Sequence, residues 1–79
     1  MHRLSQGDKV VGTRRLVKAV EQDQIRLAYV ARDADLFITR QVQEACAAHN
    51  VPLVEAPSMK ALGEACSVQV PTAAAGLKK

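Results

Sequence analysis

Gly12-Thr13-Arg14-Arg15-Leu16-Val17-Lys18 sets three basic side chains just after a glycine turn, where a helix would begin. The first N–H groups of a helix have no intrahelical partner, and the macrodipole adds about half a positive charge at that end. Phosphate or the polar edge of a nucleobase would fit such a start. Arg14 and Lys18 are four apart and Arg15 and Lys18 three apart, spacings that gather side chains on one helix surface. Leu16, Val17 and Val20 fall on the other side, so the helix would bury an aliphatic stripe and present a basic one. A solvated charged face has the same composition; position at a helix start favours the binding surface.

Val68-Gln69-Val70-Pro71 is an apolar stretch where a polar loop is the norm. Either Val68 and Val70 fold back into the core, or they form a partly exposed ledge that packs against a partner. Cys46-x-x-His49 with Cys66 supplies only three metal ligands, on faces that otherwise read as core. A Cys46–His49 nucleophile pair lacks a group to orient the histidine and an oxyanion hole. Buried cysteines and a boundary histidine are the expectation, with no metal and no cofactor. Asp33 and Asp35 fit turn and helix-cap chemistry better than an acid–base pair. Tyr29 and Phe37 read as core, and Lys60, Lys78 and Lys79 as diffuse attraction to a polyanion or as solubility.

These groups need elements to hold them. Lys9-Val10-Val11-Gly12 reads as a short strand, with Thr13 capping a helix that runs to about Glu21 or Asp23. Ile25 to Ala31 is almost continuously apolar, as a central strand covered on both faces would be. Asp33-Ala34-Asp35 then opens a helix over about Leu36 to His49, with Ile38, Val42, Ala45, Cys46 and His49 on one face. Asn50 suits a left-handed C-cap, and Val51-Pro52-Leu53-Val54-Glu55 a short strand. Ser58 caps a helix to about Cys66 that turns Ala61, Leu62, Ala65 and Cys66 inward. Ser67 to Thr72 is a loop. Ala73 to Leu77 is a last strand, where the alternation of elements outweighs alanine's helix propensity. The expected fold is α/β, a three-layer α/β/α sandwich around a short mixed four-stranded sheet.

The 79 residues make a single domain spanning 1–79, which buries roughly 60–65% of its unfolded surface. At 48% hydrophobic it has material for a core, and a net charge of +3 is too small for indiscriminate polyanion binding. With Tyr29 and Phe37 the only aromatics, a platform that stacks successive bases is disfavoured. Two distant cysteines without a signal peptide suit free thiols in the cytoplasm. No apolar run reaches about eighteen residues, so no membrane span is expected. Monomer is the default.

Taken in order, Gly12-Thr13-x-x-x-x-Lys18-Ala19-Val20, Val30-Ala31-Arg32-Asp33-Ala34-Asp35, Val51-Pro52-Leu53-Val54, Ser58-Met59-Lys60-Ala61-Leu62-Gly63-Glu64-Ala65-Cys66 and Val68-Gln69-Val70 form one pattern. It resembles the ribosomal-protein superfamily named for archaeal L-seven-Ae and eukaryotic L-thirty-e, most of all its small bacterial YbxF-like branch. The resemblance runs from about Leu4 to Leu77. It implies a cytoplasmic protein that binds kink-turn RNA, a sharply bent helix–internal-loop–helix element with tandem sheared G·A pairs. That RNA would be ribosomal or a structured mRNA element, with the ribosome as a further partner and no small-molecule substrate. By position, Gly12, Thr13, Arg14, Arg15 and Lys18 would face the groove at the G·A pairs, and Val68, Gln69 and Val70 would cover a base extruded from the bend.

Archaeal and eukaryotic members typically carry Asn-Glu where this chain has Arg14-Arg15. Arginine cannot accept protons from a guanine edge as a carboxylate does, which shifts the expected binding toward phosphate charge and salt sensitivity. Ser67 stands where glycine is usual, and Gly7 weakens the N-terminal helix expected of relatives. A protein-interaction module of the same fold with little RNA affinity is the alternative; the basic groups at the helix start favour RNA.

Overall fold

The computed structural model describes residues 9–68 and 70–79; the Gly7 region and Gln69 lie outside them. Strands and helices alternate as β1 (Lys9–Val11), α1 (Thr13–Glu21), β2 (Ile25–Ala31), α2 (Leu36–Ala48), β3 (Leu53–Ala56), α3 (Met59–Ala65) and β4 (Ala74–Lys78). The sheet has four strands in the order β1-β4-β2-β3. β2 and β3 are parallel, and β4 runs antiparallel to both β1 and β2, so the sheet is mixed. The crossover through α2 is what a parallel pair requires.

α1 and α2 cover one face, where Leu16, Ala19, Val20, Val42 and Cys46 pack on Val10, Ile25, Ala28, Val30 and Ala74. α3 covers the other, with Leu62 and Cys66 against Tyr29, Ala31, Ala75 and Leu77. The alternating environments along β2 come from this double cover, which leaves Ala28, Tyr29, Val30 and Ala31 all buried. Burial raises both thiol pKa values above the ordinary one, against a small lowering of Cys66 by Lys9. The two cysteines sit on opposite faces of the sheet and share no ligand.

The three helices of the described residues stop in the same way. The residue after each C-cap, Asp23, Asn50 or Ser67, turns left-handed at φ 59°, 56° and 62° respectively. In α1 and α3 two reverse hydrogen bonds close the turn: Asp23 N–H to Val20 O and Gln24 N–H to Ala19 O, then Ser67 N–H to Glu64 O and Val68 N–H to Gly63 O. Asp23 also accepts a 2.6 Å hydrogen bond from Lys79 Nζ, which ties the end of α1 to the end of β4 and lowers the Asp23 pKa.

Three local expectations are corrected. Thr13 is not the cap of α1; Gly12 holds that position with φ 106°, and no side chain caps it. Phe37 is not core but 77% exposed, beside Leu36 at 74%, because both lie in the first turn of α2 away from the Val42–Cys46 stripe. His49 is exposed as well, since α2 has already ended and His49 is its C-cap.

Gly76 is the tightest point of the sheet. A Cβ there would lie 2.6 Å from Leu16 Cδ1, and 3.2 Å from both Ile25 Cγ2 and the Leu27 carbonyl oxygen. Gly76→Ala is expected to cost about 1–3 kcal/mol by overpacking, read as a lower urea midpoint at unchanged slope. Thiol labelling should be negligible in the native protein and complete in denaturant; fast native labelling would contradict the burial of Cys46 and Cys66.

Candidate nucleic-acid interface

The antiparallel pairing of β1 with β4 decides which loops become neighbours. Val11 pairs with Ala75, so the end of β1 meets the beginning of β4. Gly12 N–H then donates to the Ala74 carbonyl at 2.9 Å, which seats the start of α1 beside the loop that leads into β4. The parallel strands β2 and β3 finish at the same end: Arg32 N–H reaches the Ala56 carbonyl at 2.8 Å, and Ala31 N–H that of Ala73 at 2.8 Å. Four chain segments thus gather at one edge of the molecule, the crevice at strand ends where α/β sheets take ligands.

At the α1 start, Gly12 is required by its φ rather than by crowding, since a Cβ would meet nothing within 4 Å. The space in front of it is open. Leu16 N–H is the first of the helix to find a carbonyl, at Gly12; the N–H groups of Thr13, Arg14 and Arg15 have no acceptor among the described residues. No acidic residue occupies the first turn. Arg14, Arg15 and Lys18 are exposed, Thr13 is half-buried, and the three cations make no ion pair among the described residues. The helix end is therefore positive in backbone and side chain alike.

The ledge is held from beneath by α3. Ser58 caps that helix by accepting from Ala61 N–H at 3.0 Å, and Asp33 reaches across from the β2–α2 turn to accept from Met59 N–H at 2.7 Å. Asp35 caps α2 through Phe37 N–H at 2.8 Å, so both aspartates are structural acceptors. The left-handed turn at Ser67 sends the chain back over α3, where Gly63 is buried. A side chain at Gly63 would collide with the Val70 carbonyl oxygen. Thr72 completes the seat, donating its N–H to the Met59 carbonyl at 3.0 Å and its hydroxyl to the Val70 carbonyl at 3.4 Å. Val68 is half-buried in the α3-side core, while Val70 is 65% exposed. Of the two readings of this loop, each holds for one valine.

The structure thus sets the α1 start, with Gly12, Thr13, Arg14 and Arg15, beside the loop that carries Val70 into β4; Lys18 follows one turn along α1, Val68 lies on the α3-side core, and Gln69 is outside the described residues. It also separates the arginines: Arg15 turns with Lys18 toward the β1 edge, and Arg14 does not line that side.

A model of the Ribosomal protein L7Ae/L30e/S12e/Gadd45 family matches residues 2–79. The chain belongs to that family. Among relatives in it, the RNA-binding protein YbxF of Geobacillus stearothermophilus is 39% identical over 74 residues, 94% of this chain and 90% of that protein. An RNA-binding protein of Halalkalibacterium halodurans is 35% identical over 72 residues, 91% of this chain and 88% of its own length. In fold, the chain is similar to the Giardia lamblia 15.5kD RNA binding protein, with a TM-score of 0.89 at 35% identity over 99% of this chain and 66% of that one. The family is not one of enzymes, and neither is this chain. No helix among the described residues is long and apolar enough to cross a membrane.

Gly63 is the positioning residue that the sequence reading does not single out; a glycine inside a short helix is its signal. Gly63→Ala should displace the Val68–Thr72 backbone and cost about 1–3 kcal/mol, measured by thermal unfolding. Ser67→Gly should do the opposite and stabilise by about 1 kcal/mol, because glycine carries no penalty for the left-handed turn. A lower midpoint for Ser67→Gly would contradict the assigned backbone.

Proposed function

We propose that the chain recognises and stabilises kink-turn RNA, using the α1 start for the groove at the G·A pairs and Val70 with its neighbours for the extruded base. The observation that carries this reading is the juxtaposition of an uncapped basic helix start and an exposed apolar ledge at one end of the sheet. The family relatives named as RNA-binding proteins support the class of ligand.

The chemistry divides between the two parts. Arg14 can donate two hydrogen bonds to guanine O6 and N7, a contact worth about 1–3 kcal/mol of discrimination. Lys18 is a point charge suited to phosphate, which fixes register without reading sequence. Gly12 and the N–H groups behind it, which have no acceptor among the described residues, let backbone approach the RNA. Val70 offers apolar area to one unstacked base, as recognition of bent RNA requires. Ribosomal RNA and structured mRNA elements both contain such bends, and the cytoplasm is the setting in which both thiols stay reduced.

The interaction module that keeps the fold but lacks RNA affinity is disfavoured by the same observation, since it has no use for a helix start whose cations make no ion pair among the described residues. A gel shift separates the two. At physiological salt, an intact kink-turn should bind more tightly than the same RNA with its G·A pairs replaced by Watson–Crick pairs. Arg14→Ala and Lys18→Ala should each weaken binding by about five- to tenfold, at the low end of one good contact. Val70→Asp should weaken it without a change in circular dichroism. Equal affinity for both RNAs would leave only generic polyanion attraction.

A further inference from the structure

Behind the helix start, the side of α1 that turns toward the β1 edge borders an open hollow of about 390 Å³. Lys9, Arg15, Lys18 and Lys78 line it together with Gln22 and Gln24, and no carboxylate among the described residues does. Register makes it: Leu77 stands opposite Lys9, the first residue of β1, so Lys78 lies beyond the start of that strand, where it borders the hollow with Lys18 and Gln22. Lys9 stands at the rim, on the edge strand. None of the four cations takes part in an ion pair among the described residues. Asp23, which follows Gln22, is occupied by Lys79.

Arg15, Lys18 and Lys78 are like charges around this hollow, while Lys9, paired opposite Leu77 of the α3-side core, reaches only its rim; their mutual repulsion is a cost that a bound polyanion would offset. The hollow has no aromatic wall among the described residues, so it is suited to a backbone rather than to bases. Arg15 and Lys18 belong both to it and to the α1 start, and from there it follows α1, which at about 1.5 Å per residue is about 13 Å long. That length exceeds one phosphate. Gln22 and Gln24 add amide groups able to donate to phosphate oxygens or to exchange hydrogen bonds with 2′-hydroxyls.

We propose that this hollow is a second RNA-binding track, which holds the phosphate backbone of the stem leaving the kink, with Lys9 and Lys78 as its contributors beyond the primary site. The track rests on the kink-turn reading for its direction, because it starts where the α1 end meets the RNA. It gives the protein a charge-dependent grip on the stem that is separate from recognition of the bend. It also assigns Lys78 a specific partner in place of diffuse attraction.

The test compares wild type, Lys78→Gln, the Lys9→Gln/Lys78→Gln pair and Arg26→Gln, an exposed cation outside the hollow. Glutamine keeps much of the aliphatic stem, and melting curves check that each variant folds. Binding is measured across a potassium chloride series to a kink-turn RNA with each stem extended in turn, and to one trimmed to the bend. The double variant should bind a long-stem RNA about tenfold more weakly at low salt, with a slope of log K against log[salt] shallower by about 1–2. Its affinity for the trimmed RNA and its preference for intact G·A pairs should match wild type. An unchanged slope on both long-stem RNAs overturns the track, as does an equal change in Arg26→Gln. Loss of G·A preference in wild type counts against the kink-turn reading alone, since the slope still decides the track.

Discussion

The organisation of the molecule depends on β4 lying between β1 and β2. It is the last element of the chain, yet it pairs on both sides, with Val11 opposite Ala75 and Tyr29 opposite the same residue from the other flank. Small residues in its first half let the helices close over it. Ala74 and Ala75 are fully buried on opposite faces, and Gly76 lies directly beneath Leu16 of α1. A larger side chain at any of them would lift a helix from the sheet or part the strands. Because β4 is fixed on both edges, the loop before it must end beside Gly12, and the strand's last residues must pass under α1. One pairing thus sets both the end of the sheet where apolar ledge and helix start meet and the basic hollow along the helix.

The two halves of that end are built by opposite means. At α1 the fold withholds: Gly12 adopts a backbone conformation that needs no side chain, no cap closes the helix, and no acid neutralises its first turn. What remains is a concentration of positive potential with room before it. At the ledge the fold invests, with Asp33 and Ser58 fixing the start of α3, the Ser67 turn reversing the chain, and Gly63 letting the Val70 carbonyl settle onto the helix. An exposed valine held by that much backbone structure is a shaped surface, and rigid presentation lowers the entropy cost of binding.

Much of this was legible in the residues. Caps and punctuation placed the elements: Asp35, Ser58 and Asn50 occupy the positions their chemistry suggested, and β4 formed despite its alanines because the strand alternation required it. The errors have physical reasons. Gly12 and Thr13 are both good cap residues, and the choice was made by a positive φ that sequence does not display. Phe37 reads as core by residue type but points away by its place on the α2 wheel. His49 continued the stripe on paper only, because the helix ended before it. Gly63 beneath Val70, and Lys78 beside Arg15, join residues distant in the chain. Register and loop path create those contacts, and no local pattern encodes them.

The central claim is that one end of the sheet, not the charged surface at large, meets the RNA. A titration of the isotope-labelled protein with kink-turn RNA, followed by amide chemical shifts, tests it most directly. Thr13, Arg14, Arg15, Val68 and Val70 should shift together and saturate at one equivalent, while Gln43, Glu44, Ala47 and Ala48 on the exposed side of α2 stay in place. Shifts spread evenly over the exposed lysines and arginines, with the α1 start and the Val70 ledge no different from the rest, would contradict the account.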